Sequence, residues 1–396
     1  MIRTIHPFPA RMAPELALEK LKEMKSTGVV LDPMAGSGTV LRQATSLGHK
    51  AVGLDMDPLA VLMTRVWTTP VDDKVIQRLA KDVFARLDSL TNDEIKLQWI
   101  DDDAETKTFI DFWFAEPQTG ELRRIAYVLE KLLTETVNTE ERLAVDVLRI
   151  ALSRLIITKD KGASLARDVS HSRPHKVSDT NDFDVRPMFE RSIHSVRKRL
   201  IAEPPPGGAS IDLGDARSLL DLAENSVDSV LTSPPYLNAI DYMRGHRLSL
   251  VWLGHSIRDL RTIRSNSIGS ERSPDNNNSD AKHTAMRLAM GDIDELPTKF
   301  SRMVERYVQD ILRMIEEIAR VLKTCGQATF VVGNSCLRGV FIRNSAAVET
   351  AAEFSGLKLT SSVDRPLPTQ SRYLPMTSAP LEKRMRTETI LSFVRA

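Results

Sequence analysis

The chain has 396 residues, of which 42% are hydrophobic and 27% are charged, as in a soluble globular protein with room for a full core. Its formal net charge of +1 argues against a protein that coats nucleic acid passively, although local basic patches are compatible with it. No apolar run approaches the length of a membrane span, so we expect a cytoplasmic protein with no membrane partner.

The chain has two cysteines, Cys325 and Cys336, and neither lies in a CxxC or His-Cys pattern. This usage indicates a reducing compartment and no structural zinc. His171 and His175 are close in sequence, but no carboxylate or cysteine accompanies them as a set of ligands. We therefore expect no bound metal.

The N-terminal part, residues 1–69, alternates short apolar strands with helical segments, which predicts a parallel α/β arrangement. The predicted elements are a helix over 14–24, a strand over 29–31, a helix over 40–47 that Gly48 ends, a strand over 51–54 and a helix over 59–67.

Residues 70–205 have a different pattern, with long helical periodicity, as over 75–87 and 125–133, and no strong strand signal. Acidic residues are in excess over 71–110, whereas 158–200 carries ten Lys or Arg against six Asp or Glu. Three prolines and two glycines at 204–208 resemble a boundary linker. We interpret 70–205 as a helical insertion in the α/β core.

The α/β pattern resumes in the last part, residues 206–396. The predicted elements are strands over 210–213 and 227–232, a helix over 304–322, a strand over 328–332, a helix ending at Phe354, and strands over 357–363 and 389–394. The polar stretch 265–280 predicts a mobile loop.

A glycine turn, DPMAGSGT at residues 32–39, follows the first predicted strand directly. Glycines at 36 and 38 allow the backbone to approach a nucleotide-like cofactor closely. Asp55 closes the second strand 17 residues after Gly38, the spacing at which an acidic residue takes ribose hydroxyls. A purely structural turn is the alternative, and Leu41 stands where the last glycine of GxGxxG would fall. The combination with Asp55 favours a nucleotide site.

A second motif, Ser-Pro-Pro-Tyr, begins at Ser233, directly after the strand predicted over 227–232. Pro234 and Pro235 fix φ and remove backbone donors, so the turn is stiff and offers acceptors. The Ser233 hydroxyl and the Pro234 carbonyl can accept hydrogen bonds from an amino group, while Tyr236 offers a ring for stacking. A proline-rich loop without chemistry is the alternative. With the glycine turn, the motif predicts a cofactor that delivers a group to a base nitrogen.

This pair of motifs resembles those of the S-adenosylmethionine-dependent DNA amino-methyltransferases, which methylate N4 of cytosine or N6 of adenine. The resemblance includes HPFPAR at 6–11, LDMDP at 54–58, GDAR at 214–217, LNAIDYMR at 237–244 and VVGN at 331–334. It covers residues 1–68 and 207–396, and the middle of the chain is only thinly matched.

The resemblance implies a methyltransferase-like, Rossmann-type α/β fold with a mostly parallel seven-stranded sheet, interrupted here by the helical insertion. It also implies S-adenosylmethionine as cofactor, with Asp215 on the adenine amino group and the loop around His6 and Arg11 as a cover. For Asp215, capping of a helix is an equal alternative. The expected cofactor-binding residues are His6, Arg11, Asp32, Met34, Ala35, Gly36, Gly38, Thr39, Asp55 and Asp215.

The expected catalytic residues are Ser233, Pro234, Pro235 and Tyr236. Hydrogen bonds from the amine to Ser233 and to the Pro234 carbonyl would localise the nitrogen lone pair toward the methyl group, so in-line geometry suffices without a metal. A base in duplex DNA must be flipped out to reach such a pocket. Serine in the first position favours N4 of cytosine over N6 of adenine. Neither cysteine follows a proline, which argues against cytosine C5 methylation.

Basic residues mixed with small hydroxyl residues predict phosphate contacts within 159–176, and arginines flank the loop at 265–280. An ordinary solvated loop is the alternative for the first group. Because the insertion precedes Asp215 rather than Ser233 directly, it is either a sequence reader, a lid or an interaction module. The expected nucleic-acid-binding residues are Lys159, Lys161, Arg167, Ser170, His171, Arg173, His175, Lys176, Arg258, Arg261, Arg264 and Arg272.

We therefore predict a site-specific methyltransferase that acts on double-stranded DNA in the prokaryotic cytosol, at the nucleoid. No nuclease-like pattern is evident, so a restriction endonuclease partner would be a separate chain. An RNA amino-methyltransferase is one alternative, disfavoured because only five residues precede His6, where such relatives carry an RNA-binding domain. A catalytically silent DNA-binding module is another, and the intact Ser-Pro-Pro-Tyr motif argues against it.

Overall fold

The computed structural model describes residues 3–8, 12–91, 94–171, 173–237, 241–269, 281–366 and 387–396, with the side chain of residue 171 left out. A seven-stranded sheet with the order β10-β11-β7-β6-β1-β2-β5 runs through this part of the chain. Its strands are β1 (Val29–Asp32), β2 (Lys50–Asp55), β5 (Ala209–Leu213), β6 (Val227–Thr232), β7 (Leu322–Gly333), β10 (Leu357–Pro366) and β11 (Thr387–Arg395).

The sheet is parallel except at one strand. Pairs β1–β2, β1–β6, β2–β5 and β6–β7 are parallel, whereas β11 lies antiparallel between β7 and β10. This strand order and the single reversed strand define the methyltransferase-like fold, so the predicted mostly parallel seven-stranded sheet is confirmed. Two short hairpins lie outside the sheet, namely β3 (Ala166–Arg167) with β4 (His175–Lys176), and β8 (Ser335–Leu337) with β9 (Val340–Ile342).

Helices connect most strands of the sheet and form the insertion. Outside the insertion they are α1 (Pro14–Lys22), α2 (Thr39–Ser46), α3 (Pro58–Thr68), α10 (Met243–Leu250), α11 (Ile257–Asn266), α12 (Ala281–Ala289), α13 (Thr298–Val321) and α14 (Asn344–Phe354). Within the insertion they are α4 (Asp73–Ser89), α5 (Gln98–Asp101), α6 (Ala104–Trp113), α7 (Gln118–Glu135), α8 (Thr139–Ile156) and α9 (Val185–Ala202).

The insertion shares a hydrophobic core with helices of the methyltransferase-like part. One buried cluster contains Leu148 of α8, Trp67 of α3 and Trp252, which lies two residues after α10. Burial of large apolar side chains is the main stabilising contribution to such packing. The predicted limits of 70 and 205 stay a prediction, and the first and last insertion helices span Asp73 to Ala202.

Most predicted elements are found, with ends shifted by a few residues. Two details differ from the predicted pattern. The insertion, which has no strong strand signal in the sequence, contains the paired strands β3 and β4, since two-residue strands leave no periodicity to detect. The strand predicted over 328–332 corresponds to β7, which begins earlier, at Leu322. The added residues include an irregular stretch in which Cys325 has a φ of 62°. Of the loop predicted over 265–280, residues 270–280 lie outside the described residues.

A buried ion network holds α13 against the segment after β5. Asp310, 2% exposed, accepts from Arg217 at 2.6 Å and from Arg306, one helical turn away, at 3.0 Å. Arg217 also forms an ion pair with Asp215 at 2.6 Å. A buried charge is stable only while its partners stay in place, so the network fixes the position of Asp215 relative to α13.

Asp310→Ala should lower the free energy of unfolding by about 3–5 kcal/mol, because it leaves two buried guanidinium groups without this carboxylate. Chemical denaturation measures the effect. Glu316→Ala, on the same helix, removes an exposed ion pair with Lys282 and should cost less than about 1 kcal/mol. Equal effects of the two substitutions would contradict the assigned role of the buried network.

Candidate active site

The glycine turn between β1 and α2 requires glycine at both positions. Gly36 and Gly38 have φ of 52° and 82°, in the left-handed region. A Cβ on Gly38 would lie 2.8 Å from the side chain of Thr64, and one on Gly36 would lie 3.3 Å from the ring of Phe8. The Thr64 hydroxyl donates to the Gly36 carbonyl at 3.0 Å. The turn is therefore tightly packed from behind by α3 and approached by the N-terminal segment.

Asp55, the last residue of β2, holds this turn. Its carboxylate accepts from the Gly36 amide at 2.8 Å and from the Asp57 amide at 2.9 Å. Burial, followed by the nearby charge of Asp57, raises the pKa of Asp55 to about 6. Each carboxylate oxygen keeps a lone pair beyond these bonds, so the predicted contact of Asp55 with ribose hydroxyls stays compatible with the geometry.

Two buried hydroxyls of the glycine turn indicate that the turn can bind a cofactor. The hydroxyls of Ser37 and Thr39 are buried and have no hydrogen-bond partner among the described residues. Buried polar groups in proteins are normally hydrogen-bonded, so these two hydroxyls are available to bind a polar ligand. At a turn that only glycine permits, these hydroxyls fit the polar end of S-adenosylmethionine.

Asp32 connects the glycine turn to the second motif. The Thr232 hydroxyl donates to Asp32 at 2.7 Å, and the Met34 amide donates to the same oxygen at 3.2 Å. Burial raises the pKa of Asp32 to about 7. The Asp32 carboxyl thus faces protein groups between β1 and β6. Its neighbours Met34 and Ala35 form the start of the turn, and Ala35 is buried.

The N-terminal segment 3–8 is held by the insertion. Nδ1 of His6 must carry the proton, because it lies 2.7 Å from the Pro7 carbonyl, which only accepts. Nε2 therefore accepts from the Ser153 hydroxyl of α8, at 2.8 Å. Burial lowers the pKa of His6 to about 3, so this imidazole is neutral. Arg154 and Arg199 donate to the carbonyls of Ile5 and Thr4.

Both nitrogens of His6 are thus occupied by protein groups, and in this conformation His6 positions the segment. Arg11, which was predicted to cover the cofactor with it, lies outside the described residues. The cover over the glycine turn is instead seen at Phe8.

Ser233 lies at the carboxyl end of β6, one residue after Thr232. Its hydroxyl donates to the Val331 carbonyl of β7 at 2.9 Å. A hydroxyl has one proton, so this bond leaves the lone pairs of Ser233 as acceptors. Pro234 is buried, while Pro235 is partly exposed. Burial, followed by the charge of Glu388, raises the pKa of Tyr236 to about 12, so its ring carries a neutral phenol.

Asp215 does not cap a helix, since residues 214–226, all described, contain none. Its carboxylate accepts from the Arg217 amide at 2.9 Å and from two nitrogens of the Arg217 guanidinium. The capping alternative is therefore wrong. The predicted contact with adenine stays a prediction, with Asp215 fixed by Arg217.

An aromatic and histidine cluster beside the turn was missed by the sequence analysis. The rings of Phe8 and Tyr242 stack at 5.1 Å with an interplanar angle of 18°, and His246 lies 5.6 Å from Phe8. Nδ1 of His246 lies 2.5 Å from Asp57 Oδ2. A usable signal was the spacing of four between Tyr242 and His246, which places them on one face of a helix.

The predicted phosphate-contacting arginines of α11 are exposed and partly neutralised. Arg261 pairs with Glu105 at 2.8 Å and Arg264 with Asp241 at 2.6 Å. Arg258 lies 3.8 Å from Asp103. Arg272 lies outside the described residues. The described arginines therefore form an exposed face on the helix that follows α10.

The basic segment 159–176 lies beside α10, because a Cβ on Gly245 would be 3.0 Å from the Val169 carbonyl. Lys176 pairs with Asp179 at 2.6 Å and lies over the ring of Phe112. Ser170 is only 7% exposed, so the structure does not bring its hydroxyl to the surface. Lys159, Lys161, Arg173 and His175 are exposed, Arg167 is partly buried, and Lys161 pairs with Asp182. The side chain of His171 lies outside the described residues.

Within the described ranges, no group of three His, Cys, Asp or Glu side chains is arranged to hold a metal ion. No helix in this part of the chain is long and apolar enough to cross a membrane.

No protein-family model matches the chain. It is 22% identical over 411 residues to the Type II methyltransferase M.MvaI of Kocuria varians. The alignment covers 96% of this chain and 86% of that protein. It is 25% identical over 376 residues to the Type II methyltransferase M.AvaI of a Nostoc strain, with 85% and 74% covered.

Among solved structures, a candidate DNA modification methylase of Thermus thermophilus in complex with S-adenosyl-L-methionine aligns at 20% identity with a TM-score of 0.24. That alignment covers 46% of this chain, and the chain spans about half the length of that structure, 51%. The fold is defined by the strand order of the sheet and not by this structural alignment.

The strand order is that of the methyltransferase-like fold, and the two motifs lie at the carboxyl ends of the neighbouring strands β1 and β6. The resemblance to the DNA amino-methyltransferases is confirmed, since the curated homologues of this chain are Type II methyltransferases.

The neutral His6 generates a pH-dependent stability. Below pH 6.5 the unfolded chain binds a proton at this residue that the folded chain, with a pKa of about 3, does not bind. The stability that wild type has relative to His6→Gln should therefore fall as the pH falls, by roughly 2 kcal/mol between pH 7.5 and 5. Denaturant titrations at several pH values measure this difference.

Ser153→Ala is the matched control for this pH effect. It removes the donor to Nε2 but leaves the imidazole buried, so it should retain most of the pH dependence. A difference between wild type and His6→Gln that stays constant from pH 7.5 to 5 would show that His6 is not buried in its neutral form.

Proposed function

We propose that this protein is an S-adenosylmethionine-dependent DNA methyltransferase that methylates an exocyclic amine of a flipped base, with N4 of cytosine favoured. The observation that carries the proposal is the orientation of Ser233. The Ser233 hydroxyl donates its proton to the Val331 carbonyl, so the lone pairs of Ser233 remain as acceptors. Ser233 also follows Thr232, whose hydroxyl donates to Asp32 at the start of the glycine turn. An acceptor for an amine thus stands beside a cofactor-type turn.

The residues of the chain supply orientation. S-adenosylmethionine, when bound, supplies an activated methyl group on its sulfonium. Ser233 and the Pro234 carbonyl accept the two N–H groups of the target amine, which directs the nitrogen lone pair away from the ring. The Tyr236 ring replaces the stacking that the base loses when it leaves the duplex. The stiff proline pair holds these groups in one arrangement, so little ordering remains for the reaction step.

The cofactor is proposed to lie against the glycine turn. Ser37 and Thr39 provide hydroxyls that have no partner among the described residues, Gly36 and Gly38 permit the turn, and Asp55 provides acceptors for ribose. The other expected contacts, from Asp32, Met34, Ala35, His6, Arg11 and Asp215, belong to the same proposal. In this conformation Asp32, His6 and Asp215 serve mainly to position the turn, the N-terminal segment and the segment after β5.

DNA is proposed as the substrate because the relatives at 22% and 25% identity are named Type II methyltransferases. On the same basis we propose a role in restriction-modification, with the endonuclease as a separate chain. The proposed location is the bacterial cytosol, at the nucleoid. Serine rather than aspartate or asparagine in the first motif position supports cytosine N4. Methylation of adenine N6 is the alternative outcome.

The exposed arginines of α11 are proposed to contact phosphates of the strand that carries the target base. The helix follows α10 and the Ser-Pro-Pro-Tyr loop along the chain, and Arg258, Arg261 and Arg264 repeat every three residues. Acidic partners hold these guanidinium groups only in exposed ion pairs, which phosphates can replace at little cost. The segment 159–176 beside α10 is the second proposed contact.

Ser233→Ala should lower the methylation rate roughly 10- to 100-fold, because one acceptor of the amine is lost in the transition state. Binding of S-adenosylhomocysteine should be unchanged. The assay incubates the protein and tritiated S-adenosylmethionine with mixed genomic DNA and, in a parallel reaction, with total RNA, then digests each nucleic acid and separates the nucleosides. Tyr236→Ala is measured beside it, and Ser362→Ala, an exposed serine of β10, is the matched control with full activity expected.

Label in N4-methylcytosine supports the favoured target, and label in N6-methyladenine replaces it by the alternative. Label in RNA alone would assign the protein to RNA methylation. Cofactor binding without any label in nucleic acid would identify a silent module and overturn the proposed enzyme.

Arg261→Ala should weaken DNA binding similarly for all sequences and reduce the slope of log K against log salt by about 0.9. Fluorescence anisotropy over a salt series measures the slope. Arg78→Ala is the matched control: Arg78 is 58% exposed and pairs with Glu141, as Arg261 is 63% exposed and pairs with Glu105. Equal slopes for wild type and Arg261→Ala would exclude Arg261 from the DNA interface.

A further inference from the structure

His246 is buried beside the candidate cofactor turn and is not explained by the proposed function so far. It lies in the first turn of α10, with 2% of its surface exposed. Its ring packs against Phe8 at 5.6 Å and Tyr242 at 6.3 Å. The imidazole is thus fixed between the N-terminal segment and the helix that follows the Ser-Pro-Pro-Tyr loop.

Asp57 determines which nitrogen of His246 carries the proton. The Asp57 carboxylate caps α3 by accepting from the Leu59 amide at 2.9 Å. Although burial opposes ionisation, His246 and the first amides of α3 hold the pKa of Asp57 below its usual value. An ionised carboxylate only accepts, so the Nδ1 nitrogen, 2.5 Å from Asp57, is the one that bears the hydrogen.

Nε2 of His246 is left without a partner. It is buried and forms no hydrogen bond with the described residues. An imidazole whose Nδ1 is protonated offers Nε2 as an acceptor, and an imidazolium offers it as a donor. A hydroxyl can satisfy either form, since it both donates and accepts.

Two contacts link the imidazole of His246 to the glycine turn and to Asp55. The amide of Asp57, the partner of His246, donates to the Asp55 carboxylate at 2.9 Å. Phe8, which packs on His246, also approaches Gly36, where a Cβ would lie 3.3 Å from its ring. Phe8 therefore lies between His246 and the glycine turn, and Asp57 lies between His246 and Asp55, the acidic residue expected to bind ribose.

We propose that His246 is a cofactor-binding residue whose Nε2 hydrogen-bonds a ribose hydroxyl of S-adenosylmethionine, beside Asp55. The inference rests on the proposed function, which assigns the cofactor to this turn. Asp57 orients the imidazole, as a carboxylate commonly does for a functional histidine. Because His246 belongs to α10, its contact links cofactor binding to the helix that follows the Ser-Pro-Pro-Tyr loop.

The test combines protein variants with cofactor analogues. Isothermal titration calorimetry compares S-adenosylhomocysteine with its 2′-deoxy and 3′-deoxy analogues, on wild type and on His246→Ala. One deoxy analogue should bind wild type roughly 5- to 10-fold more weakly than S-adenosylhomocysteine, as expected for one lost hydrogen bond. His246→Ala should bind S-adenosylhomocysteine with a similar loss, and removal of that same hydroxyl should then cost nothing further.

The matched control is His49→Ala. His49 is another buried histidine, and its Nδ1 accepts from the Gly28 amide at 3.2 Å. This variant should show the same loss on removal of the hydroxyl as wild type. His246→Gln is the second variant, for use if His246→Ala does not fold, and it should also show a smaller loss than wild type.

Each other outcome overturns the inference in a recognisable way. If the loss for each deoxy analogue is the same in the His246 variants as in wild type, His246 is a structural residue and the cofactor assignment stands. If wild type binds both deoxy analogues as tightly as S-adenosylhomocysteine, no ribose hydroxyl is recognised. If wild type does not bind S-adenosylhomocysteine at all, the proposed cofactor falls together with the inference.

Discussion

The hydrogen bond from the Thr232 hydroxyl to the buried carboxyl of Asp32 joins the two halves of the candidate site. It connects the ends of β1 and β6, which are neighbours in the sheet although they lie 200 residues apart in the chain. The residue after Thr232 is Ser233, and the residues after Asp32 form the glycine turn. Because the strands are parallel, both motifs must emerge at the same edge of the sheet, where α/β proteins bind their ligands. The separation of acceptor and cofactor turn is therefore set by the spacing of adjacent strands.

Asp55 extends the same arrangement to the third strand end. It closes β2 and binds the amide of Gly36, so the turn after β1 is fixed from the side of β2 as well as from β6. Asp32 is 3% exposed and Asp55 is partly buried, and this burial raises their pKa values to about 7 and about 6. A site built at the ends of three strands needs little rearrangement to receive a ligand, which is an advantage when binding must order the reacting groups.

The sequence allowed prediction of the sheet and both motifs because each strand is a short apolar run followed by a polar or glycine signal. The run before Asp32 and the run before Ser233 carried that information locally. Pairings across long stretches of chain left no such signal. The contact of His246 with Asp57 spans 189 residues, and that of His6 with Ser153 spans 147. His6 was assigned from its motif to the cofactor, whereas the structure shows which protein groups occupy its ring nitrogens.

The insertion acts on the candidate site through its packing, which its position in the sequence did not reveal. Its helix α8 bonds His6 through Ser153, and α8 also supplies Asp146, which pairs with Arg65 of α3 at 3.2 Å. The insertion shares its buried cluster with α10 and α11. The N-terminal segment, α3 and the helix after the Ser-Pro-Pro-Tyr loop thus rest on one packed body. Since packed interiors transmit small displacements rather than absorb them, contacts made by the insertion bear on the cofactor turn and on α10 together.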